Sequence, residues 1–235
     1  AFLRKLREKF VVSVEIDPPR GINTQKVMEG ARLMAQRGVD AINIADSPMA
    51  HIRMSAMALG YQIHTHFPRL EIILHFTTRD RNLMGLQSDL LGAHAVGLRT
   101  ILCLTGDPPS LGDYPNATAV FDTDAPGLMR IIQRMNAGSD QAGTSIGAPT
   151  QFAFGCGVNP TADDMDAEFE WVRKKLDAGP QFLMTQPVYE LDCWTRFVDR
   201  LSGITNIPVL IGILPLQSYR HAEFLHNEVP GIHVP

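Results

Sequence analysis

A strict alternation of short apolar runs with amphipathic segments constrains this chain more than any other feature. The runs cover residues 10–16, 41–45, 71–76, 100–104, 150–154, 181–185 and 208–213. Most are continuously apolar rather than alternating, the pattern of parallel strands covered on both faces. Helical signals fill the gaps. Thr24 is placed to cap a first helix with Val27, Ala31 and Met34 at helical spacing, and Gly38 ends it. Ser47-Pro48 reads as the N-cap and first position of a second helix. Asp80 precedes a third with Leu83, Leu86 and Leu90 on one face, and Asp124 precedes a fourth with Leu128, Ile131, Ile132 and Met135. Thr161 opens a fifth with Phe169, Val172 and Leu176 inward and Gly179 after it, and residues 190–201 and 218–227 complete the set.

Seven strand–helix units at one per about 30–35 residues predict an α/β fold, a (β/α)8 TIM barrel that lacks its last strand–helix unit in this chain. A doubly wound open sheet is the alternative, but Asp17-Pro-Pro-Arg20 follows the first strand where such a fold carries a glycine fingerprint. No shift in composition marks a second domain, so residues 1–235 are expected to form a single barrel domain. Residues 136–149 are polar and glycine-rich and read as a mobile, non-catalytic loop.

Composition narrows the class. Hydrophobic residues make up 45% and charged residues 20%, ordinary for a folded chain. A net charge of -4 and a pI near 6.1 imply no basic surface, against nucleic acid and anionic membrane as partners. No apolar run approaches the roughly 20 residues of a membrane span, and the N-terminus lacks the apolar core of a secretory signal. Three dispersed cysteines, Cys103, Cys156 and Cys193, fit a reducing, cytoplasmic setting. The chain begins with Ala1, which suggests a piece of something longer.

Barrel enzymes place their chemistry at the carboxyl ends of the strands. That rule selects Glu15, Asp46, His75, Asp107, Asn159 and Gln186. Glu15 lies inside an apolar run, where burial would raise its pKa and suit it to act as a general acid; a strand-end salt bridge is the plainer reading. Gly106 permits close backbone approach, and Asp107 before a proline is held extended, though a simple Asp turn explains it as well. Gln186 can donate and accept towards a heterocyclic amide or serve as a cap. The glycines of Phe154-Gly-Cys-Gly-Val-Asn-Pro160, just before the fifth helix, offer a phosphate seat or an ordinary turn. His64 and His66 fall at the wrong strand ends for a metal site, Asp163 and Asp164 read as caps, and no metal centre is expected.

Four motifs in register carry a resemblance: Val14-Glu-Ile-Asp-Pro-Pro-Arg20, Leu104-Thr-Gly-Asp-Pro-Pro109, Asp177-Ala-Gly179 followed by Thr185-Gln186, and Gly212-Ile-Leu-Pro215. Together they resemble the methylenetetrahydrofolate reductase family along nearly the whole chain. The Glu-Ile-Asp-Pro-Pro form, with His75-Phe-Thr-Thr-Arg-Asp80, is most similar to the reductase half of bifunctional proteins fused to a homocysteine methyltransferase domain.

The resemblance implies a cytoplasmic flavoprotein of one-carbon metabolism and methionine biosynthesis, assembled as a homo-oligomer. It would reduce 5,10-methylenetetrahydrofolate to 5-methyltetrahydrofolate with NADH or NADPH by ping-pong hydride transfer. The implied cofactor is FAD, with FMN as the alternative. Glu15 matches the acid that opens the imidazolidine ring at N10, and Asp107 the carboxylate near flavin and pterin. Gln186 matches a pterin-contacting amide, and Tyr219 an aromatic lid residue. His75, Thr105, Gly106, Asp107, Gly155, Asn159, Lys174 and Lys175 fall at flavin-contact positions. Four positions depart from the family pattern: Asp17 and Gly155 replace aromatics, Ala45 a threonine and Asn159 a histidine. A non-redox pterin-binding or aldolase-like barrel, and a non-catalytic barrel fragment, are the competing readings.

Overall fold

The computed structural model describes residues 2–229 and 231–235. Its residues divide into two compact units, Ala1–Phe154 and Gly155–Pro235. In the first unit the strands are β1 (Ser13–Ile16), β2 (Ala41–Ile44), β3 (Glu71–Thr77) and β4 (Thr100–Leu104). Its helices are α1 (Phe2–Glu8), α2 (Gln25–Gln36), α3 (Ala56–His66), α4 (Leu83–Ala95) and α5 (Ala125–Asn136). The strand β5 (Ala153–Val158) begins at the end of this unit. The second unit holds β6 (Leu183–Pro187) and β7 (Val209–Gly212), with α6 (Met165–Asp177), α7 (Leu191–Ser202) and α8 (Tyr219–Glu228). Neighbouring strands pair in chain order and in parallel, β1 to β4 in one unit and β5 to β7 in the other. This is the topology of a (β/α)8 barrel through seven of its eight units.

The apolar runs became strands because both faces are covered. All four residues of β2 are buried, and so are six of the seven in β3. Helix α3 packs on β2 and β3 and α5 on β4, with α4 against α5; Leu59 and Ile63 of α3, Leu86 and Leu90 of α4, and Leu128, Ile131 and Ile132 of α5 are all essentially without solvent exposure. Each such side chain contributes about 1.5–3 kcal/mol relative to exposure.

Several boundaries differ from the sequence reading for local reasons. Ser47 does not cap a helix: it lies at φ 48°, Pro48–Ala50 form one short 3₁₀ turn, and α3 starts later, its cap Ser55 Oγ accepting from Ala58 N–H at 3.4 Å. Thr24 stands before α2 but makes no capping bond, and Asn23 Oδ1 accepts the Gln25 N–H instead at 3.0 Å. Asn82 rather than Asp80 caps α4, because Asp80 is engaged by Arg79. Helix α6 begins at Met165 rather than at Thr161, with Asp164 as its cap as read from the sequence, and Asp124 caps α5. Basic residues in and just after α1 meet a nearly buried carboxylate: Lys9 pairs with Asp40, and Lys5 lies 3.9 Å from both Asp40 and Glu71. Residues 136–150 are stitched down rather than loose. Asp140 N–H donates to Thr144 C=O at 2.8 Å, Gln141 N–H donates to Gln87 Oε1 at 2.7 Å, and Asn136 Nδ2 donates to Phe152 C=O at 2.9 Å.

Candidate active site

In the first unit, the carboxyl ends of four neighbouring strands carry the polar groups. Glu15 comes from β1, directly opposite Asn43 of β2 in the register, and His75 from β3. Their side chains approach to 3.9 Å between Glu15 Oε2 and His75 Nε2, with His75 8% exposed and Glu15 53% exposed. The expectation of a buried Glu15 is therefore corrected: β1 is short and its Glu15 side chain leaves the apolar face. The buried member is His75. Burial pushes its imidazole below the ordinary histidine range, while Glu15, Asp46 and Asp17 pull the other way. Nε2 is buried and has no hydrogen-bond partner among the described residues.

Asp46, at the end of β2, is consumed by structure. Its Oδ2 accepts from Thr77 N–H at 3.0 Å, Thr77 Oγ1 at 3.1 Å and Arg81 Nη1 at 2.8 Å. Arg81 also donates to Asp89 at 2.9 Å and lies over the Phe76 ring at 4.5 Å. After β4, Gly106 sits at φ 92°, where an added Cβ would come within 2.9 Å of Thr77 Cβ. Thr105 is tied into the frame: its carbonyl accepts from Thr78, and its Oγ1 accepts the Ala125 N–H at 3.2 Å. Asp107 Oδ2 accepts the Met49 N–H at 2.8 Å. Glu15, His75, Thr105, Gly106 and Asp107 thus all lie at strand ends of the first unit.

The second unit holds the others. Gln186, near the end of β6, is exposed beside a register shift in the strand. Tyr219 opens α8 and is 79% exposed. Gly155 lies inside β5, not in a turn: a Cβ there would meet Phe182 O at 2.5 Å and the Phe182 ring at 2.6 Å. The glycines of that motif are thus strand residues, not the turn that the sequence offered as the plainer reading. Asn159 Oδ1 accepts from Thr161 N–H and Oγ1, both at 3.0 Å, and Asn159 N–H donates to Glu168 at 2.9 Å. Lys175 is buried and donates to Gly157 C=O at 2.7 Å, and burial pushes its ammonium below the ordinary lysine range. Lys174 is exposed, its Nζ 5.7 Å from the Trp171 ring centre. A cleft of about 500 Å³ in this unit, lined by Thr161, Cys193, Arg196, Arg200 and His233 among others, contains none of the predicted site residues.

Sequence reasoning missed Arg79 and Arg81. The signal was available: two arginines directly after an apolar strand must either reach water or find carboxylates, and Asp80 and Asp89 lie in the same stretch of chain, with Asp46 at the end of the preceding strand. No cluster of three potential metal ligands exists among the described residues, and no described helix is long and apolar enough to cross a membrane.

Residues 2–235 match the family model for methylenetetrahydrofolate reductase. The chain belongs to the methylenetetrahydrofolate reductase family. Methylenetetrahydrofolate reductase 1 of Schizosaccharomyces pombe is 31% identical over 174 residues, 72% of this chain and 27% of that protein. A probable methylenetetrahydrofolate reductase (NADPH) of Caenorhabditis elegans is 27% identical over 93% of this chain and 33% of its own length. The 5,10-methylenetetrahydrofolate reductase of Salmonella typhimurium is 25% identical over 66% of this chain and 47% of its own. The chain thus spans less than half the length of these relatives. Among solved structures, a protein from Clostridium thermocellum that binds two copies of 5-methyl-5,6,7,8-tetrahydrofolic acid matches with a TM-score of 0.64 and 17% identity, over 100% of this chain and 76% of that one. A 2,3-dimethylmalate lyase matches with a TM-score of 0.61 and 13% identity, over 94% of this chain and 75% of its own. At such identities the likeness speaks for the shared barrel-type fold alone.

Proposed function

We propose that this chain is the catalytic part of a flavin-dependent enzyme. It reduces 5,10-methylenetetrahydrofolate to 5-methyltetrahydrofolate with NADH or NADPH, in two half-reactions at one site. The observation that carries the reading is the Glu15–His75 pair in a chain matched to the family from residue 2 to 235. Orphaned buried polar atoms are rare in folded proteins, so the unpartnered Nε2 of His75 calls for a ligand group. The polar edge of a flavin offers both donors and acceptors, and the strand-end groups fit it. His75, Thr105, Gly106 and Asp107 would hold the cofactor in the first unit.

Bound FAD supplies the hydride chemistry between nicotinamide and folate. The protein supplies a proton and position. Glu15, exposed to an incoming substrate, gives its proton to N10 of the folate and opens the five-membered ring. Asp107 places negative charge where the opened, cationic folate needs it. Gln186 hydrogen-bonds the pterin, and Tyr219 packs on whichever substrate is bound.

The reading is tested with protein purified in the presence of FAD. The expected result is a visible flavin spectrum that NADH or NADPH bleaches without oxygen and methylenetetrahydrofolate restores. A colourless protein that neither takes up FAD nor turns over folate would overturn it.

A further inference from the structure

The segment after β2 has an unusual backbone. Ser47, Met49 and Ala50 lie at φ 48°, 51° and 54°, in a region that costs a non-glycine residue about 1–2 kcal/mol. Such strain persists only where the surroundings over-determine it, and it gathers at functional sites. Here the restraint comes from the segment after β4. Asp107 Oδ2 accepts the Met49 N–H at 2.8 Å. Asp113 Oδ2 accepts the Ile52 N–H at 2.8 Å, and its Oδ1 meets His51 Nδ1 at 2.9 Å. Gly112 packs so tightly that a Cβ there would lie 2.0 Å from Ala50 O. Asp107 Oδ1 has no hydrogen-bond partner among the described residues, so one carboxylate oxygen is anchored and the other is free to meet a ligand.

Arg79 joins the two segments from beneath. Its side chain is 4% exposed. Nε and Nη2 fork onto the Asp80 carboxylate, each at 2.8 Å. Nη1 then donates to Ser47 C=O at 3.2 Å and to Asp107 C=O at 3.4 Å. A single planar cation therefore reaches the first left-handed residue of one segment and the backbone of the residue that anchors the other. Only a guanidinium has enough donors in fixed geometry to do both while keeping its own carboxylate.

We propose that Arg79 is the positioning residue for Asp107, fixing its backbone so that Oδ2 stays on Met49 and Oδ1 is presented to substrate. The proposal rests on the reading of Asp107 as a group that acts on the folate. Its test combines amide hydrogen exchange at Met49, which needs no cofactor, with the folate half-reaction of the flavin-loaded enzyme. The variants are Arg79→Lys, which keeps the charge but cannot span all three partners, Arg79→Gln, Asp107→Ala, and each double variant. Arg79→Lys is expected to speed Met49 exchange by about 5–10-fold. It should also lower kcat of the folate half-reaction by about tenfold, with KM for the folate within about twofold. Neither Arg79 substitution should slow the reaction further once Asp107 is alanine. Arg79→Lys covers the case in which Arg79→Gln does not fold. Unchanged Met49 exchange in Arg79→Lys overturns the proposal, and so do rate losses that add to that of Asp107→Ala. A wild-type rate in Asp107→Ala would instead overturn the reading of Asp107 and the proposal with it.

Discussion

Replacing Gly106 by alanine adds one methyl group at the junction on which the candidate site is built. The backbone there is at φ 92°, and the new Cβ would lie 2.9 Å from Thr77 Cβ and 3.2 Å from Arg79 Cβ. Left-handed backbone costs an L-residue about 1–2 kcal/mol, and forcing a methyl into a packed site costs about 1–3 kcal/mol more. The sum is a loss of about 2–5 kcal/mol. Neither neighbour yields easily: the Thr77 hydroxyl is fixed on Asp46, and Arg79 is held by Asp80. The same substitution at Gly30, inside α2 with nothing within 4 Å of an added Cβ, should stabilise by up to about 1 kcal/mol. The assay is urea unfolding followed by far-UV circular dichroism. With a slope of about 1–3 kcal/mol/M, Gly106→Ala should lower the midpoint by about 1 M or more, while Gly30→Ala leaves it unchanged or raises it. A Gly106→Ala midpoint at or above that of the unmodified protein would refute the packing and backbone reasoning together.

Two further substitutions probe the electrostatics. Asp46→Ala strips three donors of their acceptor and leaves Arg81 with Asp89 as its one carboxylate beside the Thr77 carbonyl; the expected loss is about 3 kcal/mol, at the low end for breaking a buried pair, and a loss under about 1 kcal/mol would contradict the pairing. His75 is held below its ordinary value of 6.5 by burial against the pull of Glu15, so Glu15→Gln should lower the His75 midpoint in an NMR titration, and a rise would contradict the pairing. The unfolded chain takes up this proton first, so the contribution of His75 to stability is complete above about pH 6.5 and is lost as pH falls towards the folded-state value. His75→Asn should flatten the pH dependence of unfolding in that window.

The parts of the fold that were legible were those dictated by burial. The runs that became β3 and β4 are apolar on both faces, and no other element type accommodates so short a continuous run between helices. The run that became β5 was misplaced by three residues at its start, because Gly155 and Gly157 look like a turn. Gly155 is instead a strand glycine whose missing side chain makes room for Phe182, a long-range contact that no local pattern carries. Helix α1 was missed since only Phe2 of its residues is buried and its amphipathic signal is correspondingly thin. At the site, strand-end position alone selected Asp46 and Asp107 equally. What separates them is the company they keep: Asp46 Oδ2 takes three donors, among them the Arg81 cation, whereas Asp107 Oδ2 takes the single backbone N–H of Met49. Burial was read onto Glu15 when it belonged to His75, because an apolar run does not say which strand-end side chain leaves the face.

The most direct test of the account is to separate the two half-reactions in Glu15→Gln. Glutamine keeps the size and the hydrogen-bonding reach of the side chain but has no proton to give. Hydride transfer from the nicotinamide needs no acid, whereas opening the folate ring does, and general-acid catalysis is worth roughly 10²–10⁴-fold. Stopped-flow absorbance of the flavin should therefore show reduction by NADH or NADPH at close to the unmodified rate. Reoxidation by methylenetetrahydrofolate should be slower by at least about a hundredfold. Equal losses in both halves, or no loss in either, would contradict the assignment of Glu15 as the acid.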